Sequence, residues 1–153
     1  MPLAIRAMAH EDLAECAWAG SPMHLAAVAK ELELAERGRA DYFVACPPSG
    51  LPVGKGGITY QLAPGGGTIW QLAVHPALRS LGIGSLLIQA MEDRMRERGC
   101  SFAEIRVEVG NQRARKLYER LGYTEVGEVA DAWETERGRY ETTLVVMTRY
   151  LGS

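Results

Sequence analysis

The chain has 153 residues, 47% of them hydrophobic and 24% charged, which is the size and balance of one folded domain over 1–153 and excludes a disordered or fibrous polypeptide. A formal net charge of −2 gives no general field for nucleic acid or anionic lipid, and charges interrupt every apolar stretch well before the roughly 20 residues that span a bilayer. Met1 to Asp12 has no apolar run behind Arg6 and does not read as a signal peptide. Cys16, Cys46 and Cys100 form neither a CxxC pair nor an even disulfide framework, so a cytoplasmic protein with reduced cysteines is expected.

Leu3 to Met8 reads as a first strand and His10 to Trp18 as a short helix. In the next helix Ser21 is placed as the cap, Pro22 fits the first turn, and Gly38 ends it. Leu25, Val28, Leu32 and Ala35 give that helix one apolar face. Strands follow at Asp41 to Cys46, within Val53 to Leu62, and at Thr68 to Val74. Pro47-Pro48-Ser49-Gly50 and Pro64-Gly65-Gly66-Gly67 supply the turns of an antiparallel meander. Gly54, Gly56 and Gly57 weaken the middle strand.

After His75-Pro76 the period changes. Ile83, Leu87, Ala90, Met91 and Met95 recur near every 3.6 residues, predicting a helix that ends at Gly99. Ser101 to Val109 is the next strand, which makes a parallel crossover. Ala114, Leu117, Tyr118 and Leu121 mark a further helix with Gly122 as its cap. Strands at Thr124 to Ala130 and Tyr140 to Tyr150 then complete a mixed sheet with helices on its faces. Asp131 to Arg139, polar apart from Trp133, reads either as a hairpin connection or as a substrate-facing loop.

The segment from Val74 to Ser85 joins a strand to a helix, where unpaired backbone amides converge and favour an anion. Gly82 and Gly84 allow close backbone approach, and Arg79 adds a permanent charge with a donor fork. The pattern suits a pyrophosphate. A glycine-containing turn with a solvated arginine would look the same. No GxGxxG follows the first strand, and no GKS or GKT ends a phosphate loop.

These residues resemble the GNAT superfamily of N-acetyltransferases. The first signature is Arg79, Gly82 and Gly84 after Val74-His75-Pro76, with Ser80 where a glycine is frequent. The second is Asn111, Ala114, Leu117-Tyr118 and Leu121-Gly122-Tyr123. The resemblance runs from Ile5 to about Tyr150 and is strongest over Thr68 to Tyr123. It implies an α/β fold with a mixed, mostly antiparallel seven-stranded sheet, helices on both faces and a splayed central cleft for acetyl-coenzyme A. The implied coenzyme residues are Leu72, Ala73 and Val74 on the strand, Arg79, Ser80, Leu81, Gly82, Ile83, Gly84 and Ser85 at the helix start, and Asn111, Ala114 and Tyr118 beyond. Leu81 carries no charge where many relatives do.

Acetyl transfer needs an unprotonated amine, a polarised carbonyl and a stable leaving thiolate. An amide on the open sheet edge near Leu72 to Val74 would polarise the carbonyl. Tyr118, protonated at neutral pH, is the candidate acid toward the sulfur; by position alone it reads rather as a ring packed beside Leu117 and Leu121, and the resemblance favours the acid. Glu104 and Glu108 share one side of a regular strand, and each is either the base or a solvated carboxylate; Glu134 is a third carboxylate near the substrate side. Gln71 stands where relatives sometimes have a carboxylate and is excluded as a base. His75 suits a structural turn before Pro76, and the histidines lack metal-ligand spacing, so no metal is expected. Asn111 fits both as a helix cap and as a coenzyme contact, while Arg113, Arg115, Lys116 and Arg120 are candidates for the adenosine 3′-phosphate.

The acceptor is expected to meet Trp18 to Leu25, Tyr60 to Thr68 and Ala130 to Tyr140. Trp18, Tyr60, Trp70, Trp133 and Tyr140 are either an aromatic wall or core rings. A small-molecule amine and a peptide or protein amine both remain open. The alternative to an enzyme is an acyl-coenzyme A-binding regulatory or structural module without turnover. The resemblance is also compatible with a homodimer.

Overall fold

The computed structural model describes residues 2–79 and 81–152. Alternation along the strands assigns side chains to two faces, each covered by a different helix. In β2 (Ala40–Cys46), Tyr42, Val44 and Cys46 join Val28 and Leu32 of α1 (Pro22–Glu36) in one buried cluster. Ala45 points the other way and joins Ile83, Leu87, Ile88, Met91 and Met95 of α2 (Ile83–Glu97). Each of these α2 side chains, fully removed from water, contributes roughly 2 kcal/mol to holding the helix on the sheet.

The helix boundaries follow local chemistry. Ser21 accepts a hydrogen bond from the His24 amide at 3.3 Å, Pro22 occupies the first turn, and Gly38 takes φ 73° just beyond the last turn. The preceding segment, His10–Ala19, is 3-10 helix interrupted at Cys16, where φ is −106° and ψ is 20°. Gly99 and Gly122, with φ 83° and 98°, follow the ends of α2 and α3 (Gln112–Arg120).

One sheet contains β1 (Ala4–Ala7), β2, β3 (Gly54–Thr59), β4 (Gly66–Val74), β5 (Phe102–Glu108), β6 (Thr124–Thr135) and β7 (Gly138–Tyr150), in the order β1-β2-β3-β4-β5-β7-β6. The β4–β5 pair, joined through α2, is parallel, and the other neighbours are antiparallel. Ala114, Tyr118 and Leu121 pack α3 against the cluster beneath α2, while α1 covers the opposite face. This is the mixed, mostly antiparallel seven-stranded sheet with helices on both faces that the resemblance implied.

The final hairpin is longer than the sequence suggested. Pairing continues through Trp133↔Tyr140, Glu134↔Arg139 and Thr135↔Gly138, so most of the Asp131 to Arg139 stretch is strand and Glu134 lies in β6. A cross-strand aromatic pair, Trp133 and Tyr140 with ring centroids 5.1 Å apart, offsets the polar composition. Among the described residues the three cysteines are free and no helix is long and apolar enough to cross a membrane.

Candidate functional site

β4 and β5 begin together and then part. Their ladder runs from Gly66↔Phe102 to Ile69↔Ile105 and stops, although β4 continues to Val74 and β5 to Glu108. The cause lies in β4. Opposite β3, Trp70 pairs with Gly57 and Ala73 with Lys55, which leaves Gln71 and Leu72 together facing Gly56. Gln71 takes φ 54°, the one positive value at a non-glycine residue among those described. Such a bulge bends its strand and increases the twist. β5 is held along its whole length by seven pairs with β7 and does not follow, so a slot opens between Trp70–Val74 and Arg106–Glu108. Leu72 and Val74 pack toward α2, whereas Ala73 shares the α1 face with its partner Lys55.

The start of α2 borders this slot. The Gly82 carbonyl accepts the first helical hydrogen bond, from Leu86 at 3.1 Å, so the amides of Ile83, Gly84 and Ser85 have no intrahelical acceptor. Gly82 sits at φ 81°, a left-handed conformation that other residues adopt only with strain, and a Cβ there would meet nothing within 4 Å. The approach to those amides is therefore open and fits an anion. Ile83 is buried and anchors the turn, Leu81 is exposed, and Arg79 is exposed after the 3-10 turn Pro76–Leu78. Ser80 lies outside the described residues. A groove of about 380 Å³ runs from Gly82 and Ser85 along α2 toward Leu121 and Arg149.

On the far side of the slot, Asn111 caps α3 by accepting from the Ala114 amide at 3.2 Å, as its sequence position suggested. Ala114 and Tyr118 are partly buried against the core. Burial holds the Tyr118 hydroxyl above its ordinary pKa, so it remains a donor at neutral pH. Its ring meets Tyr123 edge-on at 6.4 Å, while the hydroxyl engages no protein partner among the described residues. The packing role and the availability of the hydroxyl are thus compatible.

The α1 face carries the polar groups. Glu104, Arg106 and Glu108 alternate onto one side of β5, as regular strand geometry required. Glu104 is buried and occupied: it accepts from Arg106 Nε at 2.7 Å and from Thr68 Oγ1 at 3.2 Å. Glu108, nearer the open end, accepts a short hydrogen bond from the Tyr140 hydroxyl.

Three residues form a buried ring at the bulge. Lys55 Nζ donates to the Gln71 carbonyl at 2.8 Å and to the Tyr42 hydroxyl at 3.0 Å, and that hydroxyl donates to Gln71 Oε1 at 3.0 Å. Desolvation pushes the Lys55 ammonium down to about 8 and raises the Tyr42 hydroxyl. Gly57 is required here because a Cβ would stand 2.7 Å from the Tyr42 ring. Nearby on α1 and β4, Glu31 Oε2, His24 Nε2 and Trp70 Nε1 are buried without hydrogen-bond partners among the described residues. Burial raises the Glu31 carboxyl and lowers the His24 imidazole. Sequence reasoning missed Lys55 and Tyr42, although a lysine inside the glycine-rich strand Val53-Gly54-Lys55-Gly56-Gly57-Ile58 was a visible anomaly.

Other candidates separate. His75 accepts from the Ala77 amide at 3.1 Å and packs on Trp18, a structural turn as expected. Tyr60 follows the end of β3, which runs antiparallel to β4, so it sits away from the slot with Asp41 and Arg98. The five aromatic residues therefore do not form one wall, and the Tyr60 to Thr68 connection begins at the end of β4 opposite the slot. Arg115 is tied to Glu125 at 2.6 Å and to the Val109 carbonyl. No group of three or more His, Cys, Asp or Glu residues placed to hold a metal occurs among the described residues.

Residues 7–123 match the model of the acetyltransferase (GNAT) family. The fold is similar to that of ribosomal-protein-S18-alanine N-acetyltransferase from Escherichia coli, with TM-score 0.78, 20% identity, and coverage of 99% of this chain and 96% of that one. A chimera of spermidine N-acetyltransferase SpeG from Vibrio cholerae and hSSAT gives TM-score 0.77 at 16% identity, covering 99% and 96%. The PaiA N-acetyltransferase of Thermoplasma acidophilum, solved in complex with coenzyme A, gives 0.71 at 14%, covering 98% and 99%.

Proposed function

Because the chain belongs to the acetyltransferase (GNAT) family, we propose that it transfers the acetyl group of acetyl-coenzyme A to a primary amine by direct attack on the thioester. The observation that carries this reading is the slot. Parallel pairing ends at Ile69↔Ile105 while both strands run on, next to the start of α2, whose first amides have no intrahelical acceptor. In this reading the amides of Ile83, Gly84 and Ser85 hold the pyrophosphate, with Arg79 and Leu81 from the segment before them. Leu72, Ala73 and Val74 line the arm from one side, and Asn111 and Ala114 from the other.

The reaction moves one acetyl group from sulfur to nitrogen, so the amine must lose a proton and the thiolate must gain one. Tyr118, kept protonated by burial, donates toward the sulfur. Glu108 is the better base candidate of the two carboxylates, because Glu104 is buried and already held by Arg106 and Thr68. The acceptors named for the similar structures, an alanine of ribosomal protein S18 and spermidine, define the first panel: alanine-containing peptides with a free amine, polyamines and amino acids.

The test is turnover of acetyl-coenzyme A by purified protein across that panel, with free coenzyme A and acceptor mass recorded together. Thiol release matched by the mass gain of one acetyl group on an amine is the expected result. Tight coenzyme binding without release for any acceptor would favour the module that binds acyl-coenzyme A without turnover. Absence of binding would sink the reading.

A further inference from the structure

Lys55 is fully buried, and no carboxylate lies within ion-pair range of it among the described residues. A buried ammonium without an anion is costly, and an apolar side chain would fill the position without that cost. Its hydrogen bonds show what it does instead. The Gln71 carbonyl lies in the bulge, and Lys55 Nζ donates to it at 2.8 Å. The Tyr42 hydroxyl, oriented by accepting from Lys55, holds the Gln71 side-chain amide oxygen at 3.0 Å. Gln71 is thereby fixed from both its main chain and its side chain in the left-handed conformation that glycine adopts readily and glutamine does not. Gln71 lies two residues beyond the last β4–β5 pair and immediately before Leu72, at the point where β4 turns into the slot.

We propose that Lys55 is a positioning residue for acetyl transfer: by gripping Gln71 from the α1 face, with Tyr42 as its second hand, it locks the bulge that aims the open edge of β4 at the acyl carbonyl. This rests on the acetyl-transfer reading above. Lys55 touches no reacting atom. It acts through the backbone of Gln71 and Leu72, whose geometry decides how well an amide meets the carbonyl oxygen as charge develops there.

The test is the infrared carbonyl stretch of bound acetyl-coenzyme A labelled with carbon-13 at the carbonyl, recorded alongside its Kd. With wild-type protein the stretch falls below its solution value, reporting polarisation. In Lys55→Met it returns most of the way to the solution value while Kd changes by less than about threefold, and kcat falls on the order of 10²-fold with little change in the KM for acetyl-coenzyme A. Gln71→Gly removes the need for support, since glycine holds φ 54° unaided, so adding Lys55→Met to it shifts the stretch little.

A stretch unmoved by Lys55→Met, or moved equally on the Gln71→Gly background, overturns the proposal. If Lys55→Met does not fold, Tyr42→Phe is decisive. It removes only the hydroxyl, and a stretch identical to wild type would likewise overturn the idea. Wild-type protein that binds acetyl-coenzyme A with an unshifted stretch defeats the Lys55 proposal alone. Failure of wild-type protein to bind defeats the acetyl-transfer reading, and this proposal with it.

Discussion

The two faces of the sheet treat buried charge differently. Toward α2 the interior is apolar, and the buried carboxylate there, Glu92, is held by Arg149 at 2.8 Å and by the Tyr123 hydroxyl at 2.7 Å. Toward α1, among the described residues, Lys55 is buried without a counter-ion and Glu31 Oε2 without a hydrogen-bond partner, while Glu104 is paired. Unpaired polar atoms in a dry site lower stability, and the rest of the fold must offset that loss. The α2 face thus builds the domain, and the α1 face spends part of its stability on holding polar groups beside the slot. Substitutions on the two faces should separate these contributions.

The largest effect is expected at the slot itself. Tyr118→Phe keeps the ring that packs against Tyr123 and the core but removes the donor. Turnover should fall by roughly 10-fold to 10⁴-fold with the thermal midpoint nearly unchanged. Burial raises the tyrosine pKa, so loss of this acid should not limit the wild-type rate until pH exceeds its ordinary value of about 10. Equal turnover in both proteins, with chemistry verified as rate-limiting, would return Tyr118 to a packing role. Next in size is Leu87→Ala on the apolar face. Leu87 is fully buried under α2, and the cavity should cost about 2–5 kcal/mol in urea unfolding. A loss under 1 kcal/mol would mean that this face is less tightly packed than it looks.

The same division explains what the sequence revealed. Apolar periodicity located α2, and the glycines at 99 and 122 marked the ends of α2 and α3, because these are local rules. The open slot came only from the family resemblance. Its physical origin is a single extra residue in β4, and nothing local to Trp70-Gln71-Leu72 announces a bulge. The Lys55–Tyr42–Gln71 ring was equally hidden, since it joins three strands and depends on Gly57 to admit the Tyr42 ring. Glu104 and Glu108 were correctly placed on one side of β5. Their different surroundings, an arginine for one and a tyrosine for the other, follow from cross-strand register that composition does not encode.

The smallest expected effect is also the most direct measure of what the α1 face costs. The Lys55 pKa falls from 10.5 in the unfolded reference to about 8 in the fold, so between these values the unfolded chain binds more protons than the native one. Stability from this group must then rise with pH across that window, the reverse of a lysine that gains an ion-pair partner. The gain from pH 7 to pH 10 is about 2–3 kcal/mol. Other groups titrate in the same range, and buried Tyr60 and Tyr123, with raised pKa values, oppose the trend above pH 10. Tyr60 and Tyr123 contribute alike to wild type and Lys55→Met, whereas Cys16, His24 and Tyr42 interact with Lys55 directly, so the difference between the two proteins in urea unfolding at pH 7, 8.5 and 10 measures Lys55 together with these neighbours. That difference should move in favour of wild type at each step. A difference independent of pH would mean that Lys55 keeps an ordinary pKa through solvent that reaches Nζ, and the α1 face would then bear no cost for its charge.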